Sequence, residues 1–363
     1  MPILLTVCGV AALARGISAE HDALWIFASG ALFGLATCAR LSFASVIPVM
    51  GLAVLAVGLG RARRFVIYLG GVALGLLPAL FFFVANPGAF WFGNVEYHAL
   101  NELYWANAGY TRAMDLGSKA RYLFSVVAAE PFNWLLIVGC VAVGISLWRA
   151  RARGGTAWFV YLPAIAAGAL LVGALVPSPT WLQYFYAPSA LLTLALVWGA
   201  AYLARDGAGA SARVGLAGAA VLTVVSILSL APGYANLVGS ADNVPAAVES
   251  TAAEIRGLVG GEGNMVATLA PVYALQAGME IYPELEAGPF ALRVAPSVEG
   301  DDAMQPGVLA GDGVGRVLAE RPPDALLTGA EGDLEAPLVQ FAMENVYRKT
   351  MLSNGLTLWL KGK

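Results

Sequence analysis

Charged residues are scarce in this sequence. Asp, Glu, Lys and Arg make up 12% of its 363 residues, whereas hydrophobic residues make up 59%. Soluble domains usually carry about 25% charged residues, so the composition excludes an ordinary soluble domain and indicates a membrane protein. The net charge of −3 is too small to indicate a nucleic-acid partner.

Cysteine and N-terminal basic residues are also scarce. The three cysteines, Cys8, Cys38 and Cys140, all lie inside apolar runs, and no Cys-x-x-Cys spacing occurs. The pattern therefore indicates neither a disulfide framework nor a Cys-x-x-Cys metal site, and it predicts small side chains buried in membrane helices. Met1-Pro2-Ile3 lacks the basic lead of a signal peptide, so we interpret the first apolar run as a genuine helix.

Long apolar runs are abundant, and they fill the first two thirds of the chain. A bilayer core about 30 Å thick needs roughly 20 apolar residues per helix. On this criterion we predict an α-helical polytopic membrane protein with about 7–8 transmembrane helices, the first of them short. The predicted spans are residues 2–14, 22–39, 41–59, 65–85, 132–148, 157–176, 182–204 and 214–231.

The charge of the connections predicts how these spans are oriented. Alternation places the connections 15–21, 60–64, 149–156 and 205–213 on one side, with nine arginines and two acidic residues. Cytoplasmic loops carry an excess of Lys and Arg, so we predict that this side is cytoplasmic. The turn at Arg40, the long connection 86–131, the turn 177–181 and the C-terminal part would then face outward from a cell (inner) membrane.

The composition changes near Pro232-Gly233, beyond which acidic residues dominate. We therefore predict two domains, a transmembrane domain of residues 1–233 and an extracytoplasmic domain of residues 234–363. The second domain is predicted to be a small α/β domain, with strands near 264–270 and 324–328, helices at 272–279 and 336–345, and a closing hairpin. Asn354-Gly355 between 347–352 and 356–361 is a strong hairpin signal.

Polar side chains gather in the long connection, within the stretch Phe90–Trp105. We predict a helix over Asn94–Trp105, on which His98 and Glu102 are neighbours because they are four residues apart. Such a pair can orient a substrate hydroxyl or move a proton. The alternative is an interfacial helix whose polar residues meet water and whose aromatic rings lie at headgroup height.

Two further polar points lie at the predicted outer edge. Arg40 interrupts an apolar run, and a boundary arginine is a candidate for binding a phosphate; the alternative is an arginine that extends to the interface from a helical hairpin. Gln183 and Tyr184 offer hydrogen bonds at the start of a span, or they belong to an aromatic belt. Lys119 precedes another span and either meets an anionic headgroup or extends to the interface.

Three segments together resemble the GT-C glycosyltransferases, polytopic enzymes that use polyprenyl-phosphate-linked sugars, and among them the bacterial relatives of dolichyl-phosphate-mannose protein mannosyltransferases. The resemblance covers roughly residues 2–231. It rests on the order and spacing of degenerate motifs. These are Gly30–Arg40, a glycine-rich helix ending in a basic residue; Gly71–Pro78 followed by Asn86-Pro87 and Phe92-Gly93-Asn94; and Gln183-Tyr184-Phe185-Tyr186-Ala187-Pro188.

The resemblance implies transfer of a sugar from a polyprenyl-phosphate donor to an extracytoplasmic glycan, lipid or protein acceptor. Members of the family carry acidic catalytic residues in the first outer loop, and no such pair occurs here, so the chain resembles a member that lacks its opening helices. Glu96 or Glu102 would then have to supply the base. The residues that donate hydrogen bonds to the lipid phosphate would be Arg40, His98, Lys119, Gln183 and Tyr184.

Two other functions remain open at this stage. The chain is alternatively a non-catalytic membrane subunit that binds a polyprenyl lipid or a partner protein. A transporter is disfavoured because, apart from Asp22 at an end, the predicted spans contain no acid or lysine. We predict no cofactor; the superfamily allows a divalent metal, but no ligand cluster in the sequence supports one.

Overall fold

The fold is taken from a computed structural model, which describes most of the chain. The described residues are 1–18, 23–56, 60–129, 131–152, 158–205, 218, 224, 228, 244–261, 263–297, 308–309 and 313–362. The chain divides into two compact units, Met1–His98 with Trp105–Leu228, and Ala99–Tyr104 with Ser229–Lys363. Each unit is described by itself.

The N-terminal part of the chain is built from helices. In chain order they are α1 Pro2–Ser18, α2 Ala23–Ala39, α3 Val46–Leu55, α4 Arg61–Gly75, α5 Leu77–Ala85, α6 Pro87–Trp91, α7 Tyr97–Asn107, α8 Leu116–Ala129, α9 Pro131–Ala152, α10 Leu162–Leu175 and α11 Tyr186–Arg205. Short 3₁₀ turns, Leu41–Ser45, Trp158–Tyr161 and Leu182–Phe185, lead into α3, α10 and α11. The helix predicted over Asn94–Trp105 is confirmed as a π-helical turn, Phe92–Glu96, that continues into α7.

The predicted number of spans is wrong. Among the described residues, two helical segments are long and apolar enough to cross a membrane, Trp158–Leu175 and Leu182–Arg205. The number rises to four if two bent pairs, Arg61–Gly75 with Leu77–Ala85 and Leu116–Ala129 with Asn133–Arg149, each form one span. The predicted span 214–231 lies outside the described residues, apart from three isolated positions.

Helix length and helix breaks explain the difference. Helices α1 and α2 have 17 residues each, which at 1.5 Å per residue gives about 25 Å, less than a bilayer core of about 30 Å. The predicted span 65–85 breaks at Leu76, where α4 and α5 meet at 51°. Pro78 stands in the first turn of α5, and proline cannot supply the N–H that a continuous helix would need there.

Glycine brings α2 and α4 into backbone contact. A Cβ atom at Gly71 would lie 2.0 Å from the Phe27 carbonyl oxygen, and one at Gly30 would lie 2.2 Å from the Tyr68 carbonyl oxygen. Small residues at fixed spacing permit such close approach of helices in membranes. The glycine spacing therefore acts in packing, and it positions the end of α2 from which Arg40 emerges.

The second unit carries a five-stranded sheet. Its elements are α12 Val244–Val259, β1 Met265–Thr268, α13 Pro271–Gln276, β2 Glu280–Ile281, α14 Phe290–Arg293, α15 Gly313–Glu320, β3 Ala325–Thr328, α16 Ala336–Glu344, β4 Arg348–Met351 and β5 Thr357–Leu360. The strand order is β2-β1-β3-β5-β4. Strands β2, β1 and β3 are parallel, whereas β5 pairs antiparallel with both β3 and β4.

Local signals predicted this unit well. Strands β1 and β3, helices α13 and α16, and the β4–β5 hairpin around Asn354-Gly355 are confirmed. Strand β3 is buried along its whole length because helices cover the sheet. Helices α12, α14 and α15 and the two-residue strand β2 were not predicted.

Candidate functional site

Three separate connections meet at one end of the first unit. The Thr180 N–H donates to the Ala113 carbonyl at 3.0 Å, and the Ser178 hydroxyl donates to the Met114 carbonyl at 3.1 Å. The Trp105 and Trp181 rings pack edge to face with centroids 5.6 Å apart. These contacts tie the connection before α8 to the turn before α11, and they build the end of the unit to which Arg40 also belongs.

Arg40 and Tyr184, both predicted from the sequence, are brought together. The Arg40 guanidinium carbon lies 4.6 Å from the centre of the Tyr184 ring. Arg40 has extended backbone between α2 and the turn Leu41–Ser45, so it stands where the helical backbone is interrupted. This cation–π contact holds the guanidinium at the ring.

A second arginine is held in the same way, and the sequence reasoning missed it. The Arg112 guanidinium carbon lies 4.4 Å from the Tyr122 ring centre, and the Tyr122 ring lies 6.2 Å from that of Phe185. Phe185 is buried and directly follows Tyr184 in the turn Leu182–Phe185. The available signal was an arginine beside Tyr110 in a connection predicted to lie at headgroup height.

Neither guanidinium is neutralised by the part of the chain that the structure describes. Within those residues, Arg40 and Arg112 form no ion pair and no side-chain hydrogen bond. An arginine presents five N–H donors in a planar fork that matches a phosphate or a carboxylate. This end of the unit therefore offers two oriented cations to an anionic ligand.

Lys119 behaves differently from the two arginines. Its side chain is buried, and its ammonium donates to the Leu175 carbonyl at 2.9 Å, to the Val176 carbonyl at 3.2 Å and to the Ser178 hydroxyl at 2.9 Å. The two carbonyls lie at the C-terminal end of α10, where carbonyls lack helical partners and a positive charge is favourable. The structure thus gives Lys119 the task of holding α8 to the end of α10.

Asp115 fixes the start of α8, the helix that carries Lys119 and Tyr122. Its carboxylate accepts the N–H of Gly117 at 2.8 Å and of Ser118 at 3.0 Å. Ser118 returns a hydroxyl hydrogen bond to the Asp115 carbonyl at 2.9 Å. The hydrogen bonds from Ser118, followed by that from Gly117, lower the pKa of the Asp115 carboxyl because they stabilise its charged form.

An apolar groove of about 340 Å³ lies between α8, α9, α10 and α11. Its polar lining residues are Asn133, whose amide donates to the Val126 carbonyl, and Ser189, whose hydroxyl donates to the Phe185 carbonyl. Gly168 on α10 is exposed, so the groove opens to the surface of the unit. The lining residues are Leu123, Val126, Val127, Asn133, Leu136, Ile137, Ala164, Ala167, Gly168, Leu171, Phe185, Pro188, Ser189 and Leu192.

Phe185 joins the groove to the arginine end. It lines the groove, and its ring contacts Tyr122, on which Arg112 is stacked. Leu123, the residue after Tyr122, lines the groove as well. An apolar cavity with a cation at one end is complementary to an amphiphile, because the tail gains by burial and an anionic head gains by charge-assisted hydrogen bonds.

The other predicted site residues are exposed. Gln183 lies in the turn Leu182–Phe185, one residue before Tyr184. Glu96 ends the π-helical turn, and His98 and Glu102 lie on α7. Within the described residues the side chains of Glu96, His98 and Glu102 form no hydrogen bond or ion pair. The predicted pairing of His98 and Glu102 therefore rests on their four-residue spacing along α7, and no hydrogen bond joins their side chains.

No three His, Cys, Asp or Glu side chains of the described residues lie together as metal ligands would.

Comparison with known proteins adds nothing to this geometry: no family model, no curated protein and no solved structure matches the chain. The functional conclusion therefore rests on the site itself and on the sequence.

Proposed function

We propose that this chain is a membrane protein that binds an anionic amphiphile, with the tail in the α8–α11 groove and the head group at Arg112. The observation that carries the proposal is the position of Phe185, which lines the groove and contacts Tyr122 beneath Arg112. A polyprenyl phosphate has this chemistry. The cation is oriented before binding, so little ordering cost is paid when the head group arrives.

Two to four helical segments are long and apolar enough to cross a membrane, which supports a membrane location for this site. We propose the cell (inner) membrane, crossed several times. The basic connection at Arg61, Arg63 and Arg64 supports a cytoplasmic position for that end. The end of the first unit that carries Arg40 and Arg112, and the C-terminal unit, would then be extracytoplasmic.

If the protein is an enzyme, we propose that it is a glycosyltransferase that acts on the bound amphiphile. The segment Gln183–Pro188, which carries part of the resemblance to GT-C glycosyltransferases, supplies Phe185 and Pro188 to the groove and Tyr184 to Arg40. A transferase also needs a carboxylate to deprotonate the acceptor, for which Glu96 and Glu102 are the candidates. Transfer of a labelled sugar from a polyprenyl-phosphate-linked donor to an acceptor hydroxyl by the purified chain, with release of the polyprenyl phosphate, would support it; binding without transfer would support a non-catalytic subunit.

Filling the groove tests the binding proposal. Gly168 lines the groove, and a Cβ atom there meets no atom within 4 Å, so Gly168→Leu is chosen to add apolar volume at the groove lining. We expect this variant to bind farnesyl phosphate at least about tenfold more weakly, equivalent to about 1.4 kcal/mol, when the purified protein is titrated in neutral detergent.

The matched control is Gly144→Leu. Gly144 lies on α9, it does not line the groove, and an added Cβ there also meets no atom within 4 Å. We expect this control to bind as the wild type does. Equal affinities for the two variants would place the ligand elsewhere and would contradict the proposal.

A further inference from the structure

The two arginine–tyrosine pairs lie on different sides of the turn Leu182–Phe185. A 3₁₀ helix has three residues per turn, so consecutive side chains point about 120° apart. Tyr184 contacts Arg40, whereas the next residue, Phe185, contacts the ring of Tyr122 that carries Arg112. The two guanidiniums are therefore presented in different directions around one turn.

Neither pair lines the groove itself, but one of them contacts its lining. The Tyr122 ring packs on Phe185, which lines the groove, whereas the Tyr184 ring packs on no other aromatic ring of the described residues. Arg40 instead precedes the turn Leu41–Ser45, which packs closely on α10: a Cβ atom at Gly173 would lie 2.2 Å from the Ser42 carbonyl oxygen. A single head group bound beside the groove would use Arg112 and leave the fork of Arg40 unoccupied.

Each guanidinium has donors to offer a phosphate. It lies over a tyrosine ring, and within the described residues it forms no ion pair and no side-chain hydrogen bond, so its N–H groups can donate to phosphate oxygens. Lys119, another cation near this end of the unit, provides a contrast, because its ammonium donates to three acceptors of the chain itself. The two arginines are thus equipped alike, and they differ in whether an apolar groove adjoins them.

We propose that the first unit binds two phosphate-bearing groups at once, an inference that rests on the proposed function. Arg112 takes the head group of the amphiphile whose tail lies in the groove. Arg40 takes a second phosphate monoester or diester that does not use the groove. That second group belongs either to another lipid or to a phosphate compound without a tail.

Counting bound equivalents tests this proposal. The purified full chain in neutral detergent is titrated with farnesyl phosphate and followed by calorimetry. We expect two equivalents for the wild type, one each for Arg40→Gln and Arg112→Gln, and none for the double variant. Arg149→Gln, which removes an exposed charge near the far end of α9, should keep two equivalents.

A tailless competitor identifies the source of the second phosphate. If glycerol 3-phosphate displaces one equivalent from the wild type and from Arg112→Gln, but none from Arg40→Gln, the Arg40 position accepts a free phosphate compound. If it displaces none, while the count of two stands, the Arg40 position takes a lipid head group. Heat-unfolding midpoints equal to that of Arg149→Gln show that the variants are folded.

The failure of this inference differs from the failure of the proposed function. One equivalent in the wild type that is lost in Arg112→Gln and kept in Arg40→Gln overturns the second site alone. One equivalent that is lost in both single variants also overturns it, because both arginines then hold one phosphate. No binding by the wild type, or binding that is unchanged by Gly168→Leu, overturns the proposed function itself.

Discussion

Gly71→Ala is expected to prevent stable folding of the first unit. The added Cβ would lie 2.0 Å from the Phe27 carbonyl oxygen and 3.0 Å from the Ala31 amide nitrogen. Both are backbone atoms of α2, so the clash is relieved only if α2 and α4 separate. Overpacking of a tight contact costs about 1–3 kcal/mol and occasionally more, and a contact between two backbones belongs at the upper end.

The neighbouring residue provides the control. A Cβ atom at Gly70 would lie 3.7 Å from the Phe27 ring, an ordinary contact, and alanine favours a helix over glycine by about 1 kcal/mol. In thermal unfolding of the purified proteins we expect Gly70→Ala to melt at or above the wild-type temperature and Gly71→Ala to melt far below it or to aggregate. Equal midpoints would mean that α2 and α4 do not approach as closely as described.

Lys119→Met is expected to destabilise the same unit by about 3 kcal/mol. Methionine has a similar length and none of the donors, so the Leu175 and Val176 carbonyls lose their partner. A buried group left without a hydrogen bond costs about 1–3 kcal/mol, and a favourable charge at a helix C-terminus contributes up to about 2 kcal/mol. The predicted result is a lower midpoint in thermal unfolding.

Arg121→Met is the control for this substitution. Arg121 lies two residues later on α8, is exposed, and forms no ion pair or hydrogen bond within the described residues. Its replacement removes the same charge and should change stability by no more than about 0.5 kcal/mol. If Lys119→Met unfolds at the same temperature as this control, the ammonium does not hold the end of α10.

Some features could be predicted because their causes lie close together in the sequence. Asn354-Gly355 specifies the β4–β5 hairpin through its own backbone preferences, and the confirmed strands β1 and β3 are short buried runs bounded by turns. The alternation of apolar runs predicts that Arg40, after α2, and Tyr184, before α11, lie on the same side of the membrane, and the two side chains are in contact.

Other features depend on contacts that no local pattern reveals. Hydropathy counts apolar residues and overlooks the break that Pro78 makes between α4 and α5, so the number of spans was overestimated. Arg112 looked like an ordinary loop residue because its stacking on Tyr122 is a product of the folded chain. Lys119 looked like a headgroup ligand because its acceptors lie 56 to 59 residues away.

The most direct measurement of the central claim is a comparison of farnesyl phosphate with farnesol, which have the same tail and differ in the charged head. Both are titrated into the purified chain and into Arg112→Gln. We predict that the wild type binds the phosphate at least about tenfold more tightly than the alcohol, a difference of about 1.4 kcal/mol, and that Arg112→Gln largely removes this preference for the equivalent bound in the groove. Equal binding of both compounds by the wild type would contradict an anionic head-group site above the groove.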